Sequence, residues 1–257
     1  MKPLASIIDF ANRRAERTAS ADLDSATPIT ADERPHPKAC RCETCDAELH
    51  AEIRANNARQ RREARMRRAA ELSQIGERFA QRTFASFAVE DTNRDAFEAC
   101  RRAVRAKRVG VGMFGDVGTG KSHLAAAVCN EATCIGRPAV FANVVDLLTR
   151  IRATYDRSNS GSESALIDAY VGIDVLAIDD LGKESLSDWS VRTLYAVVNA
   201  RYERNLPLIV TSNSSLEDLM RRTVDPRAEQ NTYIATLDRV FEMTNRQWFE
   251  LRGESRR

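Results

Sequence analysis

The run Gly115-Asp116-Val117-Gly118-Thr119-Gly120-Lys121-Ser122 has the residue types and spacing of a loop that wraps a polyphosphate. Glycines at 115, 118 and 120 let the backbone curl until successive N–H groups face one anionic centre. Lys121 then reaches the β- and γ-phosphate oxygens, and the Ser122 hydroxyl is set to coordinate Mg2+. His123 opens a helix-compatible stretch, Leu124-Ala125-Ala126-Ala127-Val128, whose positive N-terminal end strengthens the same anion site. Upstream, Val109-Gly110-Val111-Gly112-Met113-Phe114 reads as a buried strand. Strand, glycine-rich loop and helix in this order make a P-loop, and ATP with Mg2+ is the expected ligand pair.

A second acidic motif completes the chemistry. Ile173-Asp174-Val175-Leu176-Ala177-Ile178 is an apolar strand pattern that ends on Asp179-Asp180, so carboxylates emerge where ligands bind in open α/β sheets. Asp179 is expected to hold the metal, usually through water. Asp180, pointing elsewhere, is the candidate to polarise the water that attacks the γ-phosphate. A further buried strand, Leu206 to Ser212, delivers Asn213 to the same end of the sheet as a candidate sensor of the γ-phosphate.

These residues need a scaffold, and the pattern beyond residue 80 supplies one. Apolar runs near 109–114, 138–142, 174–178 and 207–212 read as strands. Helical patterns lie near 94–107, 121–135, 144–155, 188–204 and 215–222, with a strand or helix pair after Leu237. This alternation predicts an α/β domain over 80–257, with a mainly parallel central sheet flanked by helices. The chain has 257 residues, 43% of them hydrophobic, enough to bury one sizeable core. The formal net charge of +2 gives no whole-chain attraction to nucleic acid, so any basic surface is local. No run of about 18 apolar residues occurs and the N-terminus lacks a secretory apolar core, so a cytoplasmic protein with no membrane partner is expected.

Residues 1–38 read as a flexible segment, interrupted by Pro28, Pro35 and Pro37. Residues 39–79 form a candidate small module that binds zinc and a partner. Three thiols, Cys40, Cys42 and Cys45, with His36 or His50, match a closed Cys3His Zn2+ site. Behind them, Ala47 to Leu72 lacks Pro and Gly and carries Arg54, Arg59, Arg61, Arg62, Arg65, Arg67 and Arg68, a polar basic helix with little to bury alone. Cys100, Cys129 and Cys134 read as ordinary helix residues.

Taken together, residues 80–257 resemble the AAA+ ATPases of the DnaC/DnaI type, which load replicative helicases, and the related IstB-like transposition ATPases. The resemblance rests on Thr83-Phe84-Ala85-Ser86-Phe87, Gly115 to Ser122, Ile178-Asp179-Asp180-Leu181-Gly182, Asn199-Ala200-Arg201-Tyr202-Glu203 and Ile209-Val210-Thr211-Ser212-Asn213. It implies an AAA+ P-loop NTPase fold, ATP hydrolysis, self-association and a replicative helicase partner. It further implies that Arg239, in Leu237-Asp238-Arg239-Val240, enters a neighbouring subunit's ATP site as an arginine finger. Gly253-Glu254-Ser255-Arg256-Arg257 resembles the family's closing segment, with Arg256 replacing its aromatic, which makes Arg257 the second sensor. Single-stranded DNA contacts fall, on the same resemblance, at Tyr155, Arg157 and Trp189. A zinc-bearing N-terminal module that grips the helicase belongs to DnaI-like loaders. The alternative is an IstB-like transposition helper that binds duplex DNA and a transposase.

Overall fold

The computed structural model describes residues 43–73, 75–154, 160–222 and 230–253. The chain divides after Ala64 into two units, inside the helix α1 (Glu43–Leu72) and ahead of the change in composition near residue 80. In the smaller unit α1 is polar, with an exposed i,i+4 ion pair from Arg59 to Glu63 at 3.0 Å. In the larger unit its last turns change character. Ala69 and Leu72 are buried, Arg65 donates to the Gly172 carbonyl and pairs with Asp174, and Arg150 donates to the Leu72 and Glu71 carbonyls.

The larger unit is built on five strands, β1 (Val111–Phe114), β2 (Ala139–Asn143), β3 (Val175–Leu181), β4 (Leu208–Ser212) and β5 (Trp248–Glu250). They form one sheet in the order β2-β3-β4-β1-β5, with every neighbouring pair parallel. A parallel sheet is covered on both faces, which explains the near-continuous apolar runs. The two-residue repeat of a strand sorts those side chains between two cores. Leu176, Ile178, Val140, Ala142, Leu208 and Val210 face one cluster, while Val175, Ala177, Phe141 and Ile209 face the other.

The first cluster is closed by α5 (Val144–Arg152), α6 (Ser160–Val171), α7 (Asp188–Glu203), α8 (Leu216–Met220) and α9 (Gln230–Met243). The second is closed by α3 (Arg94–Arg105) and α4 (Lys121–Cys134), with the short α2 (Glu77–Ala80) bringing Phe79 against it. Cys100 and Cys129 belong to this second core as apolar fillers, and burial pushes the Cys129 thiol up to about 12.

Arg201 ties three elements on the first face. It is fully buried, and its guanidinium donates to the carbonyls of Tyr170 (3.1 Å), Val171 (3.2 Å), Ile173 (2.8 Å) and Pro207 (2.5 Å). One side chain thereby fixes the end of α6 to the approaches of β3 and β4. Burial pulls its pKa down to about 9, so it remains charged at neutral pH.

Three elements differ from the sequence expectation. Residues 160–171, for which no helix is expected, form α6, whose Tyr170 and Val171 are buried; its Ser/Gly-rich start hides that apolar end. The acidic strand does not stop at Ile178 but continues as β3 to Leu181, because a bulge between Ile178 and Leu181 carries the ladder past both aspartates. Helix α9 begins before Leu237 and is followed by the edge strand β5. No described helix is long and apolar enough to cross a membrane.

Candidate nucleotide-binding site

Strand β1 ends at Phe114 and hands the chain to the glycine loop at the carboxyl end of the sheet. Gly115, Gly118 and Gly120 have φ of 136°, 94° and 100°, a region that L side chains avoid. At Gly120 the constraint is double, since a Cβ would stand 2.7 Å from Cε2 of Phe87. Thr119 Oγ1 donates to the Asp116 carbonyl at 2.9 Å and tightens the turn. Leu251 N donates to the Phe114 carbonyl at 2.8 Å, and the Leu251 carbonyl lies against Gly115 where a side chain would begin.

Lys121 opens α4 and folds back over the loop, where its ammonium donates to the Gly115 and Asp116 carbonyls, both at 2.7 Å. Desolvation lowers its pKa, against the opposing pull of Asp180 and Asp179. A cationic group held among loop carbonyls and facing two carboxylates fits a site that receives phosphate oxygens. His123 turns the other way. Its Nε2 is 2.9 Å from the Thr83 carbonyl and 3.2 Å from Ser86 Oγ, and its ring meets Phe87 edge-on at 5.2 Å. It anchors the Thr83-to-Phe87 segment beside the loop.

The two acids sit on adjacent residues of β3 but lean toward different strands. Asp179 Oδ1 accepts from Thr211 Oγ1 of β4 at 2.5 Å, and the Ser122 hydroxyl lies close enough to favour its ionised form. Burial raises the Asp179 pKa, and the hydroxyl donors Thr211 and Ser122 offset part of that rise. A buried carboxylate beside the loop serine is a suitable oxygen donor set for Mg2+. Asp180 has a left-handed backbone, φ 62°, at the bulge. Its N–H donates to Thr211 Oγ1 at 2.9 Å, while its carboxylate accepts from Asn143 Nδ2 at 3.3 Å and Lys183 Nζ at 2.8 Å.

Asn213 is exposed just past β4, where Ser212 Oγ donates to the Leu181 carbonyl at 2.7 Å and fastens the ends of β3 and β4 together. Gly182 N donates to Glu184 at 2.7 Å, and the buried Glu184 faces Arg222 at 3.5 Å. Thr211, Asn143 and Lys183 all organise the acids, and sequence reasoning singled out none of them. Thr211 had a visible signal, a polar residue one step before the end of an apolar strand.

Other expected residues lie apart from the loop. Arg239 is on α9 with its guanidinium over Tyr195 and Tyr202. Trp189 begins α7, half-buried against the core, with the Arg152 guanidinium 5.6 Å from its ring centroid. Tyr155, Arg157, Arg257, His36, Cys40 and Cys42 lie outside the described residues. Cys45 falls in the first turn of α1, its side chain also outside them, and His50 is exposed on the same helix.

Comparison with known proteins bears on the family and the fold. The family model of the IstB-like ATP binding proteins matches residues 30–257. The replicative helicase loader DnaC of Escherichia coli K12 is 28% identical over 167 residues, which cover 63% of this chain and 68% of DnaC. The crystal structure of DnaI aligns with a TM-score of 0.59 at 20% identity, over 74% of this chain and 100% of that one. AMPPCP-bound DnaA from Aquifex aeolicus aligns with a TM-score of 0.54 at 22% identity. That match covers 67% of this chain and 50% of DnaA, so the chain spans half the length of that neighbour. At these identities the solved structures speak for the fold alone, an α/β sandwich around a parallel sheet.

Proposed function

Because this chain belongs to the IstB-like ATP-binding protein family, we propose that it is an ATPase that loads the replicative DNA helicase onto single-stranded DNA. The observation that carries the ATPase part is Thr211 bridging Asp179 and Asp180 beside the Lys121 loop. The likeness to DnaC supports the helicase part.

In this reading Lys121 releases the loop carbonyls and donates to the β- and γ-phosphate oxygens. Ser122 and Asp179 would hold Mg2+, which would supply positive charge against the phosphates. Asp180 orients a water in line with the γ-phosphorus and accepts its proton. The new P–O bond forms as the bond from the γ-phosphorus to the bridging oxygen breaks, leaving ADP and inorganic phosphate. Asn213 senses the γ-phosphate from the end of β4. Arg239 acts on a neighbouring subunit's ATP, where charge stabilisation of this kind is worth about 10³–10⁵ in rate. Tyr155, Arg157 and Trp189 contact the DNA strand. ATP binding assembles the subunits, and hydrolysis releases them.

A transposition helper is the second reading, favoured by the IstB-like description of the matching family. Purification of the full chain with ATP and single-stranded DNA, followed by identification of what copurifies, separates the two. A replicative helicase is the expected companion, and a transposase retained on duplex DNA would replace the proposal with the second reading.

A further inference from the structure

The surroundings of Arg239 carry more than its position on α9. Its guanidinium carbon stands 4.9 Å from the Tyr195 ring centroid and 5.7 Å from that of Tyr202. The two tyrosines are seven residues apart on α7, two turns along one face. Nη1 donates to the Ala235 carbonyl at 3.1 Å, whereas Nε is buried with no hydrogen-bond acceptor among the described residues. No carboxylate among them stands within ion-pair distance of this arginine; Glu242 feels its charge from further off. Tyr202 is in turn fixed, since its hydroxyl donates to Glu242 Oε2 at 2.6 Å, and Glu242 also meets Arg246 at 3.5 Å. Tyr202 is 38% exposed, so the assembly lies at the surface of the subunit.

This is an unusual way to hold a cation. A carboxylate partner would neutralise the guanidinium and would have to be displaced before it could meet a phosphate. Aromatic faces fix the plane of the group and leave its charge intact. An arginine restrained in this way loses less rotamer freedom when it docks on an anion.

Resting on the reading of Arg239 as acting in trans, we propose that Tyr195 and Tyr202 are positioning residues for that arginine. They form a platform on the surface presented to a second copy of this chain, and Glu242 locks the outer ring of that platform. The arginine reaches the neighbour's phosphates already oriented, and the tyrosines act only through it.

The test uses mixed full-length subunits, with phosphate release measured in ATP, MgCl2 and oligothymidylate. The acceptor subunit carries Arg239→Ala and keeps its own nucleotide site. The donor subunit carries Lys121→Ala, so it offers the arginine but turns over no ATP itself. Adding Tyr195→Leu and Tyr202→Leu to the donor should lower the rescued kcat about tenfold and leave the acceptor's KM for ATP unchanged. Donors with Tyr195→Phe and Tyr202→Phe should rescue within about twofold, because the ring faces remain. Undiminished rescue by the leucine donor overturns the proposal, as does equal loss with leucine and phenylalanine. Absence of rescue by the donor with both tyrosines intact instead overturns the trans reading beneath it.

Discussion

The Thr211 hydroxyl donates to the Asp179 carboxylate at 2.5 Å across the β3–β4 pair. The same oxygen accepts from the Asp180 backbone at 2.9 Å, so one side chain sets the Asp179 carboxylate and the Asp180 backbone together, the two acids proposed to hold the metal and to orient the water. This is possible because β4 lies beside β3 and the bulge brings Asp180 N to the Thr211 side.

Thr211→Val removes a hydrogen bond that favours the ionised form of Asp179, whose pKa burial already raises. The pKa should rise further, and protons should compete with Mg2+ up to a higher pH. The acid limb of the kcat/KM profile should move toward neutrality, with Mg2+-dependent ATP affinity about tenfold weaker on that limb. A profile that coincides with the unaltered protein would refute the bridging role.

Asp179→Asn should separate stability from activity. The folded pKa of Asp179 lies above its unfolded value, so its favourable contribution is present below the unfolded pKa and lost as pH rises through the folded one. At neutral pH the ionised acid therefore costs stability in the nucleotide-free protein. Asparagine keeps an acceptor for Thr211 without the charge. Thermal unfolding without nucleotide should shift upward by about 2–4 °C, while phosphate release is abolished.

Lys121→Ala should weaken ATP binding about 100-fold, through the loss of charge-assisted bonds to the phosphates. Gly120→Ala should match it with the lysine intact, because the new methyl group meets Phe87 and the φ of 100° is unsuited to alanine. Titration calorimetry with ATP and Mg2+ checks both variants, and native affinity in either one removes the loop from the binding site.

Arg201→Lys should destabilise the fold by about 3 kcal/mol or more, since an ammonium cannot reach four carbonyls in three segments at once. The denaturant midpoint should fall at an unchanged slope. A midpoint within error of the unaltered protein would contradict the stapling role.

What was legible in the sequence follows the range of the interactions involved. The glycine loop and the Asp179-Asp180 pair depend on local backbone chemistry, and both occupy the expected end of the sheet. Four of the five strands announce themselves as apolar runs, because a parallel sheet is buried on both faces. Helix α6 was missed because its first turn is Ser and Gly while its buried residues, Tyr170 and Val171, come at its end. Thr211, Asn143 and Lys183 acquire their roles only through pairing across strands and at the bulge, which spacing along the chain does not encode. Arg201 stands in the sequence only as part of the Asn199-to-Glu203 motif; its burial follows from three carbonyl-bearing segments converging on one point. The cysteine cluster, by contrast, was plain in the sequence and falls largely outside the described residues.

The short edge strand β5 has a practical consequence for work on this chain. Leu251, one residue beyond it, serves as the floor under Gly115, and its amide holds the last residue of β1. A tag, fusion or protease cut that lifts this segment would deprive the glycine turn of its support without touching Lys121 or either aspartate.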